Sequence, residues 1–174
     1  QYLCDCHDRN SVEIAEKTKY QFKDIRLTFE KVLNKPNNIN KFHQGFRRAF
    51  IEETQYIQNM AQSLYLDSRY YFDKKFDRKK VQEFYMEWIY KAIHQTYDDD
   101  CFVICRDDQL VGYCTLKYLN KKEVAIGLFG VHKNFSGQGL GKILIKNVIK
   151  HLENKEYERI IVVTQGRNYA AQRL

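Results

Sequence analysis

Residues 132–142 read His-Lys-Asn-Phe-Ser-Gly-Gln-Gly-Leu-Gly-Lys and link a predicted strand to a predicted helix. Gly137, Gly139 and Gly141 leave the backbone bare of side chains, so that several amides can point at one spot. The helix that starts there adds the positive end of its dipole. Together these features predict a pyrophosphate-binding site.

Two well-known phosphate-binding motifs do not fit this stretch. The Walker motif needs Gly-Lys-Ser/Thr, but Gly141-Lys142 is followed by Ile143. The dinucleotide fingerprint follows the first strand of a βαβ unit and has an acid about 20 residues on, whereas this loop follows three predicted antiparallel strands. The glycines alone are equally compatible with an ordinary flexible turn that binds nothing.

Hydrophobic periodicity around the loop predicts alternating strands and helices. Before the loop, the predicted elements are a strand at 45–52, a helix at 54–65, a loop at 66–77, a helix capped by Asp77, and strands at 101–106, 110–118 and 123–132. After it, they are a helix at 139–153, a strand at 159–164 covered on both faces, and a helix capped by Asn168. This order predicts an α/β (α+β) fold.

The segment before residue 45 is predicted to be a separate unit. It holds a weak strand pattern at 2–6, a helix at 11–19 opened by Asn10, and a strand at 24–33, followed by the only proline of the chain. We therefore expect residues 1–35 to be the C-terminal part of an N-terminal α/β domain and 36–44 to be a linker. Residues 45–174 form the second predicted domain.

Composition excludes several classes of protein. The chain has 174 residues, of which 44% are hydrophobic and 29% charged, so it is neither disordered nor collagen-like. No apolar run reaches the roughly 18 residues of a membrane span. The net charge of +7 favours anionic partners. The five cysteines include no Cys-x-x-Cys pair, which favours free thiols and no metal site. Reduced thiols, with no targeting segment or membrane span in the sequence, predict a cytoplasmic location.

The glycine loop resembles the acetyl-CoA motif of the GCN5-related N-acetyltransferase (GNAT) superfamily, Gln/Arg-x-x-Gly-x-Gly/Ala. Here it reads Ser-Gly-Gln-Gly-Leu-Gly over 136–141, with both glycines in place and Ser136 at the first position. The resemblance extends over 45–174 and implies a mixed, mostly antiparallel central sheet flanked by helices. It also implies that the last strands of this domain would follow Leu174.

Within the superfamily, the sequence is most similar to the TDP-fucosamine acetyltransferase group. The similar stretches are 68–73, 126–131 and 163–168, with a Trp-bearing helix (Trp88) after the first of them. This similarity implies transfer of acetyl from acetyl-CoA to the 4-amino group of a dTDP-4-amino-4,6-dideoxy sugar, for surface polysaccharide. The Thr-Gln-x-x-Asn stretch at 164–168 is shared with protein acetyltransferases, so a protein N-terminal (ribosomal-protein-type) acetyltransferase is the alternative.

The resemblance also implies particular contacts. Acetyl-CoA is expected at Phe129, Gly130, Val131, Ser136, Gly137, Gln138, Gly139, Leu140, Gly141, Lys142 and Asn168. Backbone amides of strand 123–132 would polarise the thioester carbonyl if this strand separates from 159–164, and Gly127 and Gly130 would permit the bulge. The family's proton-donating Tyr would directly follow Leu174, so no catalytic residue is assigned within the chain.

The sequence gives a less specific signal for the residues that bind the acceptor. In the basic, aromatic stretch 69–80, Arg69, Tyr70 and Tyr71 are the candidate substrate residues, although an exposed basic loop explains the same pattern. A weaker alternative is an RNA-binding module, but the glycine loop argues against a nucleic-acid partner. The sequence leaves open whether the protein forms a homodimer. We expect His132 to be a structural histidine. We expect four acids to be solvated turn residues: Asp98, Asp99, Asp100 and Glu123.

Overall fold

A computed structural model describes residues 3–35 and 41–174. The helices are α1 (Arg9–Lys17), α2 (Thr54–Ala61), α3 (Arg69–Phe72), α4 (Arg78–Ile93), α5 (Leu140–Asn154) and α6 (Tyr169–Gln172). The strands are β1 (Arg26–Val32), β2 (Phe46–Arg48), β3 (Asp100–Arg106), β4 (Gln109–Tyr118), β5 (Glu123–Val131) and β6 (Arg159–Gln165). Short 3₁₀ turns cover Ile51–Glu53 and Lys133–Phe135. None of these helices is long and apolar enough to cross a membrane.

One six-stranded sheet organises the described chain. Its strand order is β1-β6-β5-β4-β3-β2, in which only β5 and β6 run parallel. Helix α5 packs on one face over Leu116 and Val124, while α2 and α4 pack on the other over Val103 and Tyr113. The predicted class, a mixed and mostly antiparallel sheet flanked by helices, is confirmed.

The N-terminal segment contributes an edge strand to this sheet. Strand β1 pairs antiparallel with β6 over its full length, from Arg26 opposite Gln165 to Val32 opposite Arg159. Residues 36–40 of the predicted linker lie outside the described residues. The division of the chain into two domains therefore stays a prediction.

Several predicted boundaries were wrong for local reasons. Helix α1 begins two residues early because Asp8, and not Asn10, accepts the capping hydrogen bond. Strand β2 stops at Arg48, since Glu53 pairs with Arg47 and accepts from the amide of Phe50, which turns the chain. The described part of 2–6 forms no strand, and the predicted loop 66–77 contains α3.

Strand β6 was expected to be covered on both faces, and this prediction was also wrong. Val163 is 41% exposed. Ile160, by contrast, lies in the core under α5. The apolar run at 159–164 therefore marks a strand between two neighbours with one partly open face.

The start of α4 offers a test of this helix. Asp77 Oδ1 accepts a hydrogen bond of 3.0 Å from the amide of Lys80, as the sequence predicts. Asp77→Ala is expected to lower the free energy of unfolding by about 1 kcal/mol, because a first-turn amide loses its acceptor. Urea denaturation measures the loss. Lys79→Ala, an exposed neighbour, is the control, and an equal midpoint for both variants would contradict the capping role.

Candidate active site

The parallel pair at the centre of the sheet separates part-way along. Strands β5 and β6 pair from Glu123 opposite Arg159 to Ile126 opposite Val162, and no further. Strand β5 continues to Val131, still paired with β4. A cleft therefore opens along the edge of β5 that faces β6, as the sequence interpretation required.

Two hydrogen bonds show which amides of β5 face this cleft. The amide of Leu128 donates to Thr115 Oγ1 on β4 (2.7 Å), and the amide of His132 donates to the carbonyl of Val111 (2.8 Å). Amide directions alternate along a strand. The intervening odd-numbered residues, Phe129 and Val131, therefore direct their amides toward the open edge, whereas Gly130 directs its amide toward β4.

The glycine loop continues from this edge. Gly137 and Gly139 have φ of 77° and 78°, the left-handed region in which glycine carries no penalty. A Cβ at either position would meet nothing within 4 Å, so solvent or a ligand can reach the loop. Gly139 is the N-cap of α5 and provides no side-chain acceptor, which leaves the first-turn amides of Leu140, Gly141 and Lys142 free to bind an anion.

Side chains around the loop hold its shape. Gln138 Oε1 accepts from Arg106 Nη1 (2.5 Å), and Gln138 Nε2 donates to the carbonyl of Asn134 (3.2 Å). His132 Nδ1 accepts from the amide of Asn134 (3.2 Å) and caps the 3₁₀ turn. The structure thus gives His132 a structural contact, and Ser136, at the variant first motif position, ends the turn.

Gly141 allows α5 to lie close to two neighbours. A Cβ there would be 3.1 Å from Leu174 Cδ1 and 3.7 Å from both the Phe129 ring and Val131 Cγ2. The last described residue therefore lies beside the start of α5 and the open edge of β5. Asn168, which precedes α6, caps it by accepting from the amide of Ala171 (3.1 Å).

On the face of the sheet that packs against α2 and α4, several tyrosines lie next to one another. The hydroxyls of Tyr65 and Tyr113 are 2.5 Å apart, and Tyr65 also reaches the carbonyl of Phe129 at 3.5 Å. The Tyr65 ring stacks on Tyr85 (4.4 Å between centroids), which stacks on Tyr71 (6.3 Å). Burial raises the pKa of Tyr65 well above its usual value and that of Tyr85 to about 12, so both stay protonated at neutral pH.

The three candidate substrate residues lie together in α3. Arg69 Nη2 donates to the hydroxyl of Tyr70 (2.8 Å), and its guanidinium carbon lies 4.8 Å from the centre of that ring. Within the described residues, the buried Nε of Arg69 and the buried hydroxyl of Tyr71 find no hydrogen-bond partner. The lysines of the same stretch, Lys74, Lys75, Lys79 and Lys80, are exposed.

Four acids were expected to be solvated turn residues, and this expectation was wrong for Asp98 and Asp100. Asp98 and Asp100 are each only 2% exposed. Asp100 Oδ2 accepts from Arg48 Nη2 (2.8 Å) and from the hydroxyl of Tyr118. Asp98 Oδ2 accepts from Thr115 Oγ1 (2.5 Å) and Trp88 Nε1 (2.8 Å). Thr115 was not singled out from the sequence; a lone polar residue in the apolar run of β4 was its only signal.

In the ranges 3–35 and 41–174, no three His, Cys, Asp or Glu side chains are grouped so that they could hold a metal ion. All five cysteines are free.

The candidate site is thus a sheet whose central parallel strands separate beside a glycine-rich helix start. Residues 57–174 match the profile of the Acetyltransferase (GNAT) family. The chain belongs to this family. No curated protein matches it significantly in sequence.

Solved structures share the fold at low sequence identity. A conserved protein of unknown function from Staphylococcus epidermidis has a TM-score of 0.62 at 16% identity, with 97% of this chain and 61% of that chain covered. A GNAT-family acetyltransferase from Colwellia psychrerythraea has a TM-score of 0.60 at 16% identity, covering 97% and 56%. The PaiA N-acetyltransferase from Thermoplasma acidophilum, in complex with coenzyme A, has a TM-score of 0.56 at 15% identity, with 74% of this chain and 83% of that chain covered. The chain thus spans only about three fifths of the first two structures.

Proposed function

We propose that this protein transfers the acetyl group of acetyl-CoA to a primary amine, and that the acceptor is the 4-amino group of a dTDP-4-amino-4,6-dideoxy sugar. The observation that carries the transfer is the glycine-lined start of α5, whose free amides adjoin the open edge of β5. The five free cysteines favour the cytoplasm as its location.

Acetyl-CoA fits the residues present. Its pyrophosphate matches the first-turn amides of 140–142, where Gly137 and Gly139 leave room and the helix dipole favours negative charge. The loop residues 136–138 directly precede this site, and they and Asn168 stay predicted contacts. Bound acetyl-CoA supplies an activated thioester.

The amides of Phe129 and Val131 are placed to act on that thioester. When the amine nitrogen attacks the carbonyl carbon, negative charge develops on the carbonyl oxygen, and backbone donors at the open edge stabilise it. The carbon–sulfur bond then breaks, the amine loses a proton, and the thiolate gains one.

The acceptor is proposed to contact Arg69, Tyr70 and Tyr71. A buried polar atom without a partner is costly, and here two of them, Arg69 Nε and the Tyr71 hydroxyl, belong to residues two positions apart in one short helix. An anionic, hydroxyl-rich acceptor such as a nucleotide-sugar would satisfy both. The aromatic rings around them offer faces on which a base can stack.

Thiol release tests the acceptor directly. We expect acetyl-CoA to release free thiol in the presence of dTDP-4-amino-4,6-dideoxygalactose, but not with the 4-hydroxy sugar nucleotide as control. Release with an N-terminal ribosomal peptide and none with the sugar would assign the alternative, a protein acetyltransferase. RNA binding with a steep salt dependence, and no thermal shift with acetyl-CoA, would refute the transferase proposal.

Arg69→Ala gives a residue-level test of the acceptor site. Because Arg69 is proposed to bind the sugar nucleotide only, the KM for that substrate should rise by about 10-fold, as for a lost charged hydrogen bond, while the KM for acetyl-CoA stays unchanged. Steady-state kinetics measures both. Lys79→Ala, in the exposed first turn of α4, is the control. An equal rise of KM in both variants would mean that Arg69 contributes only its positive charge and no specific contact.

A further inference from the structure

A buried hydrogen-bond network lies directly behind the open edge of β5. The indole Nε1 of Trp88 and the hydroxyl of Thr115 both donate to Asp98 Oδ2, at 2.8 and 2.5 Å. The Thr115 oxygen in turn accepts from the amide of Leu128, at 2.7 Å. Asp98 is 2% exposed and Thr115 fully buried, so the network is shielded from water.

The network is built into an irregularity of β5. Cys114 pairs with Phe129, but Leu116 pairs with Ile126, so Thr115 alone faces two residues of β5. This is a bulge, which leaves the extra amide without a ladder partner. The Thr115 hydroxyl replaces that partner for Leu128. Gly127 is required beside it, because a Cβ there would overlap Asp98 Oδ2 and lie 2.6 Å from Thr115 Oγ1.

The position of the bulge matters for the cleft. Pairing with β6 ends at Ile126, one residue before the bulge, and the first amide that faces the cleft belongs to Phe129, one residue after Leu128. A threonine hydroxyl has a single proton. Since Thr115 gives that proton to Asp98, its lone pairs are left for the Leu128 amide, and the direction of this bond is set by the buried carboxylate.

We propose that Thr115, oriented by Asp98 and Trp88, is a positioning residue that holds the bulge of β5 so that the Phe129 amide meets the thioester carbonyl. A buried carboxylate held by two neutral donors is a costly way to stabilise a sheet, which favours a role in positioning over one in stability. This inference rests on the proposed acetyl-CoA-dependent transfer.

The test compares Thr115→Val with Thr115→Ser. Valine keeps the shape but removes the acceptor of the Leu128 amide, whereas serine keeps the hydroxyl. The main readout is the carbonyl ¹³C resonance of bound [1-¹³C]acetyl-CoA, which moves downfield when the oxygen accepts a hydrogen bond and needs no acceptor substrate. We expect a downfield shift in the unsubstituted protein and Thr115→Ser, lost in Thr115→Val. With the amine present, kcat of Thr115→Val should fall about 10- to 100-fold, as for small misplacements in active sites, with little change in KM for acetyl-CoA.

The outcomes separate the inference from the function on which it rests. If the unsubstituted protein does not bind acetyl-CoA, the proposed function fails and this inference with it. If it binds but Thr115→Val keeps both the shifted resonance and the full kcat, only the inference is overturned. If Thr115→Val does not fold, Trp88→Phe replaces it, because this variant deletes one donor to Asp98. The inference then requires a lower kcat at an unchanged KM for acetyl-CoA, and an unchanged kcat overturns the inference.

Discussion

Replacing Gly139 with valine is expected to weaken acetyl-CoA binding by at least about 100-fold, which corresponds to about 2.8 kcal/mol. Gly139 has φ of 78° at the N-cap of α5. A β-branched residue strongly disfavours that conformation, and forcing it costs about 1–2 kcal/mol. The valine side chain would also occupy open space beside the loop, which the pyrophosphate is proposed to fill. Calorimetric titration with acetyl-CoA measures the affinity.

Gly139→Asn is the matched control for this variant. Asparagine tolerates positive φ better than other residues with a side chain, so the loop conformation is retained at lower cost. We expect Gly139→Asn to bind acetyl-CoA more tightly than Gly139→Val, with both proteins folded by circular dichroism. Wild-type affinity in a folded Gly139→Val would contradict the assignment of this loop.

Replacing Leu144 with alanine is expected to lower the free energy of unfolding by about 2–5 kcal/mol, because it leaves a cavity in a close-packed core. Leu144 is fully buried on the face of α5 that packs against the sheet. The same helix carries the proposed binding amides at its first turn. Urea denaturation with an unchanged m-value measures the effect.

Lys146→Ala is the control for the stability of α5. Lys146 is exposed and lies two residues further along the same helix. Its removal should change the free energy of unfolding by no more than about 0.5 kcal/mol. Comparable losses of unfolding free energy in the two variants would contradict the packing of this face of α5 against the core.

Local patterns predicted most of the elements around the site. The stripe Leu140, Leu144, Val148 and Leu152 identified α5, and all four are buried. Asp77 and Asn168 were predicted as caps, and both accept the expected hydrogen bonds. These features depend on residues within a few positions of each other, so periodicity and capping chemistry suffice to find them.

Features that depend on distant residues were not predictable in this way. The pairing of β1 with β6 joins Arg26 to Gln165, and nothing in either segment names its partner. Asp98 stands in a run of three acids that is typical of a solvated turn, yet Trp88 and Thr115 enclose it. Only the fold brings these side chains together, and with them the bulge beside the cleft.

The central claim is that the start of α5 binds the pyrophosphate of acetyl-CoA. Titrating the protein with acetyl-CoA and, in parallel, with S-acetylpantetheine, which carries the same thioester without the phosphates, tests it most directly. We expect saturable binding of one acetyl-CoA per chain and no measurable binding of S-acetylpantetheine at the same concentrations. No binding of acetyl-CoA, or equal affinity for the two compounds, would contradict the claim.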